Sequence, residues 1–220
     1  MIEVGRRLGA SPMLSSAIFA QAVVRSCGNA DQRDRLLPGL MSGEVVATVA
    51  CQEGTHFQPK TTLCRRNGEQ LTGCKTMVLD AASANYVLVT ARDHNKGLCI
   101  GRLPCNAAGV NIAPRQLMDG RQYAVIEFTN AVVEEWLQGQ QIASGFQRAL
   151  DETTIMLSCE MLGGSRELLE RTVAFLQERE QFDVKIGTFQ ALQHRIAEAY
   201  CRLELAAASF YSALIAIDAE

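Results

Sequence analysis

Four absences narrow what this 220-residue chain can be. There is no excess of basic charge: 21 Lys and Arg stand against 24 Asp and Glu, for a formal net charge of −3. Without a basic footprint, nucleic acid is not an expected partner. No uninterrupted apolar run reaches the roughly 18 residues of a membrane span, so no span is expected. The first residues, Met1 to Arg7, lack the apolar core of an export leader, which predicts a cytoplasmic chain. Finally, the eight cysteines include no C-x-x-C pair, so neither a zinc site nor a redox motif is indicated. Reduced thiols serving as small apolar residues are the expectation.

What is present is ordinary for a globular protein: 48% apolar and 20% charged residues. The hydrophobic period changes twice along the chain. Residues 1–43 read as helical, with a start at Ser11-Pro12, an alanine-rich apolar stretch from Leu14 to Cys27, and a stop at Gly28. A shorter helical piece from Asp31 to Met41 is expected to break near Pro38. Two short helices cannot bury both apolar faces on each other, so another layer must cover them.

From Glu44 the pattern becomes one of short β-branched runs. These are 45–50, 71–72, 76–79, 86–90, 98–103, 110–112 and 123–128, separated by turn signals such as Asn67-Gly68 and Asp119-Gly120. This predicts a compact antiparallel sandwich or barrel, with Pro104 and Pro114 at run edges or in connections. After about Ala143 the helical period returns. Ile155, Cys159, Leu162, Leu169, Val173 and Leu176 form one stripe, with Arg166 in the skipped slot. Leu192, Ile196, Leu203 and Phe210 belong to a second. Each helix is expected to run about 30 residues. The fold class is thus α+β and multidomain: a helical N-terminal remnant (1–43), an antiparallel β middle domain (44–142) and half of a long-helix bundle (143–220). The helical parts read as incomplete, as in a fragment or a protomer that completes its bundle on another subunit.

Three stretches carry a resemblance. Residues 28–44, GNADQRDRLLPGLMSGE, follow G-x-x-x-Q-(K/R)-x-x-x-L-P-x-L-x-S-G-E. Leu71-Thr72-Gly73-Cys74-Lys75 with the later Ala84-Asn85 follows L-x-G-x-K…A-(D/N). Residues 179–194, REQFDVKIGTFQALQH, follow R-x-(Q/A/T)-F-G-x-x-I-x-x-F-Q-x-x-Q-H, the most specific of the three. Together they resemble the acyl-CoA dehydrogenase family of flavoproteins over essentially the whole chain. The resemblance implies an FAD-dependent enzyme that removes the α-proton and β-hydride of an acyl-CoA. A glutamate takes the proton, FAD takes the hydride, and electrons pass to an electron-transfer flavoprotein. It further implies a homo-oligomer, or a hetero-oligomer with a related dehydrogenase subunit.

By that resemblance Arg179 reaches the FAD pyrophosphate across a subunit interface, where a guanidinium fork suits phosphate oxygens. Taken alone, it could equally be a solvated cation at a helix C-terminus. Gln181 and Phe182 are expected near the diphosphate and adenine. Phe189 and Gln190 open a helix whose N–H groups can face phosphate, although packing between helices would also account for the two phenylalanines. Met77, Val78 and Leu79 occupy the family's W-(I/L)-(T/S) flavin wall, where backbone N–H groups do not depend on side-chain identity. An ordinary buried strand is the plain alternative.

The chain also departs from the pattern. Asp183 replaces a glycine. The segment T-E-P-x-A-G-S-D is reduced to residues 50–58, ACQEGTHFQ, in which Glu53 keeps the acidic position and His56 reads as a solvated loop residue. The catalytic base has no match: the minority position falls on Thr153, and neighbouring Glu152 points about 100° around the helix. No catalytic or metal-binding residue is assigned. The expectation is therefore an acyl-CoA dehydrogenase-like flavoprotein lacking its base. The alternative is a non-catalytic subunit that contributes to the FAD site of an active dehydrogenase.

Overall fold

A computed structural model describes residues 1–58 and 61–219; the terminal Glu220 of the expected bundle half lies outside the described residues. The chain divides into two compact units, residues 10–153 and residues 1–9 with 154–220.

The first unit opens with a helical stretch of wide π-type turns, Met13–Ala20, continuing as α2 (Gln21–Cys27) and followed by α3 (Ala30–Ser42). Asn29 caps α3 reciprocally: its side chain accepts from Gln32 N at 2.9 Å, while Asn29 N donates to Gln32 Oε1 at 3.2 Å. This is a capping box. Gly43 ends the helix in the left-handed region, at φ 76°. The expected break at Pro38 does not occur, because Pro38 lies inside α3. It and Asp34, whose carbonyl loses its partner, are both exposed, so water can take the place of the missing N–H.

Strands β1 (Ala47–Ala50), β2 (Arg65–Asn67), β3 (Gln70–Leu79), β4 (Tyr86–Arg92), β5 (Leu98–Pro104), β6 (Val110–Gln116), β7 (Gln122–Val132) and β8 (Glu135–Trp136) form one sheet among the described residues. Its order is β6-β7-β3-β2-β4-β5-β8, with β1 beside β4. Most pairs are antiparallel as expected, but β1 and β2 each pair parallel with β4. The two runs expected at 71–72 and 76–79 are one strand, interrupted by a register shift between Lys75 and Val78. Pro114 sits within β6, an edge strand, where its missing N–H costs no ladder bond.

The sheet supplies the layer the helices require. Val87 and Val89 of β4 point into one core with Leu71, Ile126 and Phe128. Leu88 points the other way, with Ile100 of β5, into a second core shared with Val23, Val24, Leu40 and Phe146. Burial on both faces explains why β4 reads as a near-continuous apolar run rather than an alternating one.

In the second unit, α1 (Ile2–Arg6) crosses α4 (Ile142–Glu178), and α5 (Gln190–Asp218) returns along α4. The two long helices bury Cys159, Leu162, Leu203 and Phe210 between them. Arg166, in the skipped slot of the stripe, pairs with Glu204 at 3.5 Å. The α1 crossing accounts for the mid-helix glycines. A Cβ on Gly163 would lie 2.0 Å from the Ile2 carbonyl oxygen, and one on Gly5 would lie 1.9 Å from that of Glu160. Arg6 fastens the crossing to Glu170 at 2.8 Å and Glu167 at 3.0 Å. By length and mean hydropathy (1.2), α5 is apolar enough to cross a membrane. No uninterrupted apolar run marks this helix, because charges such as Glu204 break the run without lowering the mean far.

Candidate functional site

The signature segment folds as a small exposed hairpin between the two long helices. After α4, β9 (Glu180–Gln181) pairs with β10 (Val184–Lys185), Gln181 opposite Val184. The two-residue turn between them is Phe182-Asp183, with φ of 57° and 64°. Paired left-handed residues make a type I′ turn, which ordinarily takes Asn-Gly. Asp tolerates that region, but a phenylalanine there is under backbone strain. The hairpin base is closed by Ile186 N donating to Arg179 O at 2.9 Å, and Gln193 Nε2 donates to Gly187 O at 2.8 Å.

Four features of this hairpin suit an anion carrying an aromatic group. Arg179 is exposed and has no ion-pair or hydrogen-bond partner for its guanidinium among the described residues. The side chain of Gln190 is exposed as well. Phe182, 87% exposed, meets Phe189 edge-to-face at 6.3 Å. Phe189 is the N-cap of α5 and provides no side-chain cap, so the first N–H groups of a long helix stay available to an external anion. Gln181 is exposed, its amide nitrogen donating to Glu180 O at 2.8 Å. An unpaired guanidinium, an uncapped helix start and an exposed aromatic pair fit the diphosphate and adenine of a dinucleotide. The Asp183 carboxylate opposes such a ligand.

In the other unit, Met77 lies in the β3 irregularity at φ 51°, with its side chain 43% exposed. Val78 is buried in the sheet core, so only its backbone could meet a ligand. Leu79 is half-buried, and its carbonyl accepts from Thr48 Oγ1 at 2.6 Å. The loop leading to this wall is sealed on itself. Glu53 accepts from Lys75 Nζ at 2.6 Å, Thr62 Oγ1 at 2.5 Å, Leu63 N at 2.5 Å and Cys64 N at 3.1 Å. Lys75 is fully buried and also donates to Thr62 and Thr90. Burial raises the Glu53 carboxyl, but Lys75, Thr62 and the two backbone N–H groups outweigh it and bring the group down to about 2. Gly73 makes the closure possible: a Cβ there would lie 2.4 Å from Cys64 Sγ.

In the sequence, Glu53 stands in one motif and Lys75 in another, and neither motif joins them. The signal was present. In the alternation of β3, positions 71, 73 and 75 face inward, so Lys75 occupies a core slot and needs a buried partner.

No described carboxylate of the α4 start stands free as a base. Glu152 is engaged by Arg25 and by Arg148 Nε at 3.4 Å, and the Thr153 hydroxyl donates to Ala149 O at 2.6 Å. His56 is exposed in the sealed loop. Burial raises the thiols of Cys27 and Cys64 to about 12 and those of Cys51, Cys99 and Cys105 to about 11, which keeps them inert.

Residues 144–220 match the family described as the acyl-CoA dehydrogenase C-terminal domain. A curated relative, the acyl-CoA dehydrogenase fadE12 of Mycobacterium tuberculosis, is 26% identical over 211 residues, covering 88% of this chain and 54% of its own length. Among solved structures, the Tcur3481-Tcur3483 steroid ACAD superposes with a TM-score of 0.87 at 26% identity, covering 99% of this chain and 59% of that one. The ChsE4-ChsE5 complex from Mycobacterium tuberculosis gives 0.84 at 22% identity, with the same coverage. The chain thus spans about half the length of the curated relative.

Proposed function

We propose that this chain, which belongs to the acyl-CoA dehydrogenase family, contributes an FAD-diphosphate contact to an acyl-CoA-oxidising flavoprotein. The observation that carries this reading is the exposed, unpaired Arg179 beside the uncapped start of α5. A cation with no internal partner among the described residues, at the base of a strained hairpin, is poorly explained as a fold element and well explained as a ligand group. Arg179 would grip the diphosphate, with Gln190 and the first N–H groups of α5 completing the donor set. Phe182 and Phe189 would face the adenine. When bound, FAD supplies the hydride acceptor for α,β-dehydrogenation of an acyl-CoA thioester. Taken by itself, the exposed face at Met77 would suit a flavin ring system through its polarisable sulfur.

A second reading draws on a separate observation. The carboxylate beside the one base position within this chain is engaged: Glu152 by two arginines. This favours a subunit that lends its hairpin to the FAD of a partner dehydrogenase carrying its own base. Acyl-CoA and an electron-transfer flavoprotein would then meet the assembled oligomer rather than this chain alone.

The test separates binding from turnover. Calorimetric titration with ADP, which carries the diphosphate and adenine, should show binding that Arg179→Ala weakens about tenfold or more, the scale of one lost charge-assisted contact. Dye-linked assays on the chain alone should show no acyl-CoA oxidation. Addition of an FAD-bearing dehydrogenase of the family should yield a complex that retains flavin better than the partner does alone. Equal ADP binding by wild type and Arg179→Ala would overturn the hairpin assignment. Full turnover by the isolated chain would overturn the reading of a subunit that needs a partner's base.

A further inference from the structure

The hairpin that carries Arg179 also carries a charge that its ligand reading leaves unused. Asp183 is the second turn residue, exposed, with no partner for its carboxylate among the described residues. It holds a left-handed backbone at φ 64°, where glycine would be unstrained. The side chain is therefore present at a conformational cost. Its surroundings are acidic. Residues 178–185 are all exposed and set Glu178, Glu180 and Asp183 against Arg179 and Lys185. Lys185 stands directly opposite Glu180 in the ladder, a position at which opposite charges offset each other. Strand alternation puts that pair on the face away from Arg179. The hairpin thus runs from a free guanidinium at its base to a free carboxylate at its tip.

Base and tip are separated by about 10 Å, three residues at about 3.3 Å each. A nucleotide gripped by its diphosphate at Arg179, with its purine on Phe182 and Phe189, lies along this gradient. Its ribose links the two and falls in the half nearer Asp183. What the ribose carries therefore decides how the carboxylate acts on the ligand. The adenosine of FAD has a bare ribose, whereas that of coenzyme A carries a 3′-phosphate of nearly two charges. An acyl-CoA-oxidising protein meets both, and both present a diphosphate and an adenine. We infer that Asp183 is a specificity residue of this hairpin: it admits the bare-ribose nucleotide of the flavin and turns away the 3′-phosphorylated nucleotide of coenzyme A. The inference rests on the diphosphate reading of Arg179 given above.

Sign and size follow from the charges. Arg179 and the first N–H groups of α5 attract any phosphate. On their own they would favour the more highly charged nucleotide of coenzyme A, so the discrimination needs a carboxylate. A ribose phosphate two strand residues from the tip lies about 7 Å from Asp183. In water, at low ionic strength, that separation opposes binding by about fivefold. The carboxylate also opposes the diphosphate, but equally in both nucleotides, so that effect cancels from the comparison. Because the hairpin is exposed, salt screens the discrimination.

ADP and 3′-phosphoadenosine 5′-diphosphate differ only in the ribose phosphate and serve as the probes. Calorimetric titration of the purified chain in about 20 mM salt should show ADP binding about threefold or more tighter than its 3′-phosphorylated counterpart. Asp183→Asn keeps a residue suited to the left-handed turn and removes only the charge. It should shift the affinity ratio about fivefold toward the 3′-phosphorylated probe, and about 0.5 M salt should erase the wild-type preference. Equal affinity of the wild type for the two probes would overturn the inference, as would a ratio unmoved by Asp183→Asn. Arg179→Ala separates the two levels of the reading. If it weakens ADP binding while the wild type shows no preference, this inference alone falls. If it leaves ADP binding unchanged, the flavin reading falls as well.

Discussion

Replacing Lys75 with methionine isolates the chemistry of the sealed loop. The ammonium is completely buried and spends its three protons on Glu53, Thr62 and Thr90 at 2.6, 2.7 and 2.9 Å. Methionine, close in shape, keeps the packing and removes the charge. It leaves Glu53, whose side chain is 9% exposed, as a buried carboxylate without a counter-ion. Breaking one side of a buried pair costs about 3–5 kcal/mol. Linkage gives a similar figure: a carboxyl at about 2 in the folded chain, against about 4.3 unfolded, is worth about 3 kcal/mol at neutral pH. Because the folded value is the lower one, this contribution is whole above the unfolded value and is lost as pH falls through about 2. In Lys75→Met, burial is left to push the Glu53 carboxyl upward. Protonation then relieves the strain, and the deficit against wild type should shrink between pH 7 and 4. Urea unfolding followed by Trp136, the single tryptophan and part of the same core, reports on this unit directly. At pH 7 the midpoint should fall by about 2 M, taking a slope of about 2 kcal/mol/M. A drop of less than about 0.3 M, or a deficit as large at pH 4 as at pH 7, would refute the reasoning.

Three further outcomes follow from the geometry. Gly163→Ala should destabilise the second unit by about 1–3 kcal/mol despite the better helix propensity of alanine, because its Cβ would lie 2.0 Å from the Ile2 carbonyl oxygen; faster amide exchange over residues 1–9 would mark the displaced α1. Asp183→Gly should raise stability by about 1 kcal/mol, through relief of the left-handed strain at φ 64°, and should tighten ADP binding by removing a carboxylate; a thermal melt and the same titration read both. Thiol titration of the native chain at pH 8 should label the exposed Cys74 and Cys201 first, and Cys27 and Cys64, buried and raised to about 12, only on unfolding.

Periodicity made the architecture readable. The three-four stripe from Ile155 to Leu176 and its match on α5 announced the hairpin, and the β-branched runs located the strands. What escaped was set by contacts distant in sequence. The Pro38 pattern reads as a break because local chemistry cannot say that Asp34, whose carbonyl it leaves without a partner, lies exposed to water. The irregularity at Thr76-Met77 divides one strand into two runs because the shift moves inward positions from odd to even numbers. The parallel placement of β1 beside β4 depends on the helices covering that face. At the candidate site, residue identities were legible through the signature, but the I′ turn was not, since Phe182-Asp183 is not a pair that chooses that turn unaided. The role of Glu53 was hidden for the same reason as the irregularity: its partner is 22 positions away.

The closure at Glu53 also bears on how such a loop can change length over evolution. The Glu53 carboxylate, near the start of the loop, holds it to Thr62, Leu63 and Cys64 at its far end, and Thr76 fixes the near side through Gln52 and Gly54 at 2.9 Å each. The excursion therefore leaves and rejoins the sheet at one point, and residues inserted or removed inside it do not alter the register of β2 or β3. Lengthening a loop closed in this way costs only about 0.6 kcal/mol per doubling. The segment behaves as an exchangeable cassette. A longer glycine- and serine-bearing version could be spliced between Gly54 and Thr61 on the existing clasp, and the same clasp would have tolerated its loss without unfolding the domain that carried it.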